Sequence, residues 1–147
     1  MFDLSQHHIL IVDDEPDNLE VLKETLELVF NSDVRVARSY DAALLVLESF
    51  HPTIIVTDLS MPKADGYVLL HQLRERPDTA QLPIIALTAH AMMGDRERIL
   101  AAGFDGYISK PFNVGTLEED IKASVEHRMS KEANSDPSLP PLQGPSL

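Results

Sequence analysis

No cysteine occurs in this chain, which excludes disulfide bonds, thiolate chemistry and cysteine-ligated zinc. The lack accords with an intracellular setting. Basic residues are few, 12 Lys and Arg against 24 Asp and Glu, and the net charge is −12. That balance provides no basic patch for nucleic-acid phosphates or an anionic membrane surface. No run approaches the roughly 18–20 apolar residues of a membrane helix. Met1-Phe2-Asp3-Leu4-Ser5 lacks the basic and apolar regions of a signal peptide, so a cytoplasmic location is expected. Glycine-rich nucleotide loops of the G-x-G-x-x-G or Walker type are missing as well. The six histidines show no metal-ligand spacing and, His90 apart, are expected on the surface.

What is present is 147 residues, 44% hydrophobic and 24% charged, enough for one globular domain. Residues 1–6 are expected to be an N-terminal extension. Residues 129–147 hold Pro137, Pro140, Pro141 and Pro145 and no apolar periodicity, and are expected to form a disordered tail. Between them, 7–128 alternate two patterns. Apolar runs at Ile9–Val12, Val34–Ala37, Ile54–Val56, Ile84–Leu87 and around Tyr107-Ile108, most of them continuous, suit strands covered on both faces. Leu19, Leu22, Leu26 and Val29 recur at helical spacing behind Pro16. Further helices are expected over 40–50, 66–76, 91–102 and 114–128. Five strands alternating with five helices predict an α/β fold with right-handed crossovers, although spacing alone leaves the strand order open.

Chemistry-bearing residues sit where the strands end: Asp13-Asp14-Glu15 after the first, Thr57-Asp58 after the third, Thr88-Ala89 after the fourth and Ser109-Lys110-Pro111 after the fifth. In an open α/β sheet these positions share one edge. Three carboxylates gathered there repel one another unless a cation balances them, and hard oxygen ligands suit Mg²⁺. An ammonium group and a hydroxyl could then serve phosphoryl oxygens, and a central Asp could attack phosphorus. Each segment alone has a plainer explanation. Acids from Asp14 to Asp17 would simply favour a helix N-terminus; Thr88 alone would be a cap, Tyr107 core, and Lys110 a solvated loop residue.

Taken together, Ile9–Pro16, Ile55–Pro62, Leu87-Thr88-Ala89 and Tyr107–Phe112 resemble the four signature segments of response-regulator receiver domains. The resemblance implies a flavodoxin-like five-stranded parallel sheet of order 2-1-3-4-5 with five helices. It implies that Asp58 accepts a phosphoryl group from a histidine kinase or histidine phosphotransfer protein. Mg²⁺, with Mn²⁺ as an alternative, would be held by Asp13, Asp14, Asp58 and the backbone carbonyl of Ser60. Lys110 would pair with phosphoryl oxygens and Thr88 would move toward them, with Tyr107 as the switch aromatic. Ser60 and His90 would modulate phosphoryl lifetime, Ala89 would leave the site open, and the Lys110-Pro111 bond would be cis.

Phosphorylation would then shift the face formed by helix 91–102, the fifth strand and the final helix, with Met92 and Met93 offering adaptable contact. An unidentified downstream protein would bind that face, or two copies of the chain would pair through it. Neither direct nucleic-acid binding nor a membrane role is expected, and nothing after Arg128 reads as a helix-turn-helix. Separate substrate turnover is not expected either, only slow self-dephosphorylation. A free-standing receiver and the terminal receiver of a hybrid kinase both fit. The alternatives are a Mg²⁺-dependent aspartyl-nucleophile phosphohydrolase and a receiver that binds partners without phosphorylation. The first needs an Asp-x-Asp pattern that Asp13-Asp14-Glu15 lacks; against the second stand the intact signature positions.

Overall fold

The computed structural model describes residues 2–61, 65–89 and 93–135. Strands β1 (His8–Val12), β2 (Asp33–Ala37), β3 (Ile54–Asp58), β4 (Ile84–Thr88) and β5 (Gly106–Ser109) form one sheet in the order β2-β1-β3-β4-β5. All four pairings are parallel. The helices are α1 (Pro16–Glu24), α2 (Tyr40–Val46), α3 (Gly66–Glu75), α4 (Met93–Ala102) and α5 (Val114–Ser135).

The apolar runs of β1, β3 and β4 lack alternation because both faces of the sheet are covered, whereas the edge strand β2 exposes Arg35. Leu10 and Val12 point toward a core shared with Leu69 and Leu73 of α3, Ile99 of α4 and Phe104. Ile9 and Ile11 point the other way, against Leu19, Leu22, Leu26, Leu117 and Ile121. Each such side chain contributes roughly 1.5–3 kcal/mol on burial, so the sheet is sealed into its helical layers from both sides.

Local chemistry sets the helix ends. Pro16 occupies the first turn of α1. Past Glu24 the helix widens into a π-helical stretch over Thr25–Val29, which periodicity alone does not foresee. There the Thr25 hydroxyl donates to the Val21 carbonyl at 2.8 Å, a back-bond that loosens helical geometry. Asn31 then turns with φ of 57°, and Ser32 N–H closes the end on the Leu26 carbonyl. Ser39 caps α2 through Ala42 N–H, and Asp65 caps α3 through Tyr67 and Val68 N–H. Helix α2 ends at Val46 instead of reaching Phe50. Gly103, with φ of 119°, stops α4.

Two boundaries differ from those expected. Helix α5 runs through Ser135, beyond the tail boundary placed after Arg128. Residues 129–133 are mostly sound helix formers, and the next proline is Pro137, whose constraint on its predecessor begins only at Asp136. Residues 136–147, expected as tail, lie outside the described residues. At the other end, the supposed extension is part of the core. A 3₁₀ turn over Leu4–Gln6, capped by Asp3, places Leu4 at 1% exposure in the α1/α5 layer. The Ser32 hydroxyl donates to the Leu4 carbonyl at 2.8 Å. None of the described helices is long and apolar enough to cross a membrane.

Candidate functional site

Parallel strands bring Val12, Thr57 and Thr88 to one edge of the sheet, and the residues that follow them meet there. Asp13 and Asp58 are buried and Asp14 is half-buried. Carboxylate oxygens of these three residues lie within 4.8 Å of one another, the only group of this kind among the described residues. Lys110 enters from beyond β5. Its backbone N–H donates to the Thr88 carbonyl at 2.8 Å, which ties the end of β5 to the end of β4. The Lys110-Pro111 peptide is cis, as expected.

Each buried carboxylate is fixed by one oxygen and offers the other. Asp58 Oδ1 accepts the Ser60 N–H at 3.1 Å, while Oδ2 accepts from Lys110 Nζ at 3.0 Å. Asp13 Oδ1 accepts the Glu15 N–H at 3.0 Å. Asp13 Oδ2 also lies 3.0 Å from Lys110 Nζ, but without hydrogen-bond geometry, so this buried oxygen keeps an ionic contact and no hydrogen bond. Gly66 explains how the loop after Asp58 closes. A Cβ at that position would run into the Asp58 carbonyl oxygen, and the Gly66 N–H donates to the Leu59 carbonyl at 3.2 Å.

Electrostatics follow from this packing. Burial pushes the Asp13 carboxyl up to about 6, with the neighbouring Asp58 charge adding to the rise; the Glu15 N–H and Lys110 oppose it. Burial works against the Lys110 ammonium, yet its hydrogen bond to Asp58 and the adjacent Asp13 carboxylate outweigh that and its pKa is raised. One ammonium thus serves a cluster with an excess of negative charge. A buried carboxylate oxygen without a hydrogen bond, beside two more hard oxygen donors, is a fitting donor set for Mg²⁺.

Of the remaining expected site residues, Thr88 ends β4 with little exposure, and Ser60 sits exposed beside Asp58. A cavity of about 460 Å³ is lined by both of them together with Tyr67, Arg98 and Ile99. Tyr107 is half-buried on β5, packed against the α3/α4 core. His90 and Met92 lie outside the described residues, as does the side chain of Met93. Among the other histidines, His8, His51 and His71 are exposed as expected. His7 and His127 instead hold internal contacts, with Thr53 at 2.8 Å and with Asp105 at 2.9 Å.

Two acids with contacts of their own escape a reading by motif. Glu15 reads as an ordinary acid before a helix, yet its carboxylate accepts from Lys110 Nζ at 3.4 Å. Asp105 reads as part of a turn, yet it is buried and gathers Arg74 at 2.8 Å, Arg128 at 3.1 Å and the Ile84 N–H at 3.0 Å, besides His127. Arg74 also donates to the carbonyls of Ala80, Leu82 and Gly103. Partners so distant along the chain leave no spacing to detect.

Comparison with known proteins agrees with this fold. The profile of the response regulator receiver domain matches residues 9–122. The probable transcriptional regulator ycf27 of Porphyridium aerugineum is 39% identical over 93% of the chain, which spans only 55% of that longer protein. The polar-differentiation response regulator DivK of Brucella ovis is 33% identical over 78% of the chain and 93% of its own length. Among solved structures, the receiver domain of the sensor histidine kinase PA1611 of Pseudomonas aeruginosa, described with a magnesium ion in its active-site cleft, superposes with a TM-score of 0.71. It is 32% identical, covering 82% of this chain and 98% of that one.

Proposed function

The chain belongs to the response regulator receiver domain family, and from that premise we propose that it is a phosphorylation-controlled switch whose acceptor is Asp58. The observation that carries this reading is the pairing of a buried Asp58 carboxylate with Lys110 at 3.0 Å inside the three-carboxylate cluster. A carboxylate oxygen of Asp58 attacks the phosphorus of a phosphohistidine on a kinase or phosphotransfer protein. The O–P bond forms, the P–N bond breaks, and the departing imidazole takes up a proton. Mg²⁺, or Mn²⁺ in its place, held by Asp13, Asp14, Asp58 and the Ser60 carbonyl, supplies positive charge to the phosphoryl oxygens when bound.

This chain's own residues do the rest. Lys110 keeps its donors aimed at the acceptor oxygen and follows the charge as it moves onto the phosphoryl group. The Thr88 hydroxyl, on the neighbouring strand end, donates to a second phosphoryl oxygen. Its movement lets Tyr107 turn inward, which alters the face built from α4, β5 and α5. A groove of about 410 Å³ on that face, lined by Leu100, Tyr107 and Asp120 among others, supports partner binding there. Ser60 beside Asp58 governs how long the phosphoryl group survives, and slow self-hydrolysis ends the signal.

Incubation with acetyl phosphate and Mg²⁺ tests the reading by intact mass. A gain of one phosphoryl group that disappears in Asp58→Asn supports it, whereas equal labelling of the variant rejects Asp58 as the acceptor.

A further inference from the structure

We propose that Glu15 is a positioning residue that holds the Lys110 ammonium at the mouth of the site and so sets how firmly Lys110 grips a phosphoryl group on Asp58. The inference rests on the phosphoacceptor reading above and deepens it.

Glu15 occupies the N-cap of α1, where a short polar side chain ordinarily folds back onto the free N–H groups of the first turn. Glu15 makes no such bond. Its backbone N–H donates to Asp13 Oδ1 at 3.0 Å, which anchors the residue beside the buried carboxylate. From that anchor its side chain reaches across to Lys110. An ammonium has three N–H groups. Lys110 faces three carboxylates, Asp13 and Asp58 at 3.0 Å each and Glu15 at 3.4 Å. The first two are buried, whereas the Glu15 side chain is 62% exposed.

A phosphoryl group on Asp58 brings three new acceptor oxygens to the place where Asp58 Oδ2 now meets Lys110. The ammonium must then redistribute its donors, and Glu15 draws it outward while the phosphoryl group draws it inward. Glu15 is the partner that can give way. An exposed ion pair shifts an equilibrium by roughly two- to fivefold, so Glu15 tunes the site and does not gate it.

Beryllofluoride, formed in place from Be²⁺ and fluoride, serves as the phosphoryl probe on the full chain at saturating Mg²⁺, with affinity read by calorimetry. Glu15→Gln removes the charge; Glu15→Asp keeps it on a side chain one methylene too short to hold Lys110. Both variants are expected to bind the probe roughly two- to fivefold more tightly, with a displaced ¹⁵N resonance of the Lys110 ammonium before the probe is added. A residue serving only the helix end would change unfolding free energy and leave both readouts in place. Unchanged or weaker affinity in either variant overturns the proposal; tighter binding by the Gln variant alone does so too, because charge at the mouth would then suffice. Failure of the unsubstituted chain to bind beryllofluoride would instead reject the phosphoacceptor reading itself.

Discussion

Asp13 has no solvent access, and in the metal-free protein its ionised form is held against both burial and the Asp58 charge, with a pKa raised to about 6 from an ordinary 3.8. The folded state therefore binds this proton more tightly than the unfolded chain does. Its contribution to stability is complete below pH ~4 and is lost as pH rises toward ~6, on the order of 2 kcal/mol. Urea unfolding in the presence of a chelator should show that decline, and Asp13→Asn should flatten it and raise metal-free stability at pH 7. A variant whose pH profile matches the unsubstituted protein would show that the strain lies elsewhere. Single residues of this kind were legible to different degrees. Asp13, Asp58, Thr88 and Lys110 stand within two residues of the ends of apolar runs, so the strand pattern announces them. Glu15 does not, because an acid before a helix already has a reason to be there in the helix dipole.

At the scale of elements, Asp105 does the joining. Its carboxylate meets Arg74 of α3, His127 and Arg128 of α5 and the first N–H of β4. Asp105→Ala leaves two largely buried guanidinium groups without their counter-charge, which costs about 3–5 kcal/mol, measurable as a shift in urea midpoint with little change in slope. A loss below 1 kcal/mol would mean that backbone carbonyls alone satisfy Arg74. A smaller effect belongs to the end of the π-helical stretch: Asn31→Ala, forced into φ of 57°, should lose about 1 kcal/mol, while Asn31→Gly should match or exceed the original stability. Element types and order were readable because a strand buried on both faces writes an unbroken apolar run. The π stretch, the true end of α5 and the docking of Leu4 were not. Each depends on a hydroxyl back-bond, on helix formers continuing past the last core residue, or on a contact with Ser32 far along the chain.

Across the whole molecule the charge is −12, and three of its carboxylates, Asp13, Asp14 and Asp58, crowd together at one end of the sheet. A divalent ion bound there, as proposed, should therefore raise stability. At Mg²⁺ a hundredfold above its dissociation constant, the folded state should gain about 2.7 kcal/mol over the chelated protein, read as a rise in melting temperature. The gain should vanish in Asp13→Asn, and an equal rise in that variant would point to non-specific screening.

The two ends of β5 are anchored very differently. Asp105, just before it, is clamped by three side chains and by β4; Lys110, just after it, is held by one backbone bond to Thr88 and by the charges of the site. A four-residue strand is about 13 Å long. Clamped at its start and paired with β4 along its whole length, the strand is expected to pass on a change at Lys110 through its side chains rather than by shifting its backbone. Tyr107, two residues past the clamp and paired with Ala86, is expected to answer by turning its ring while its backbone stays in place.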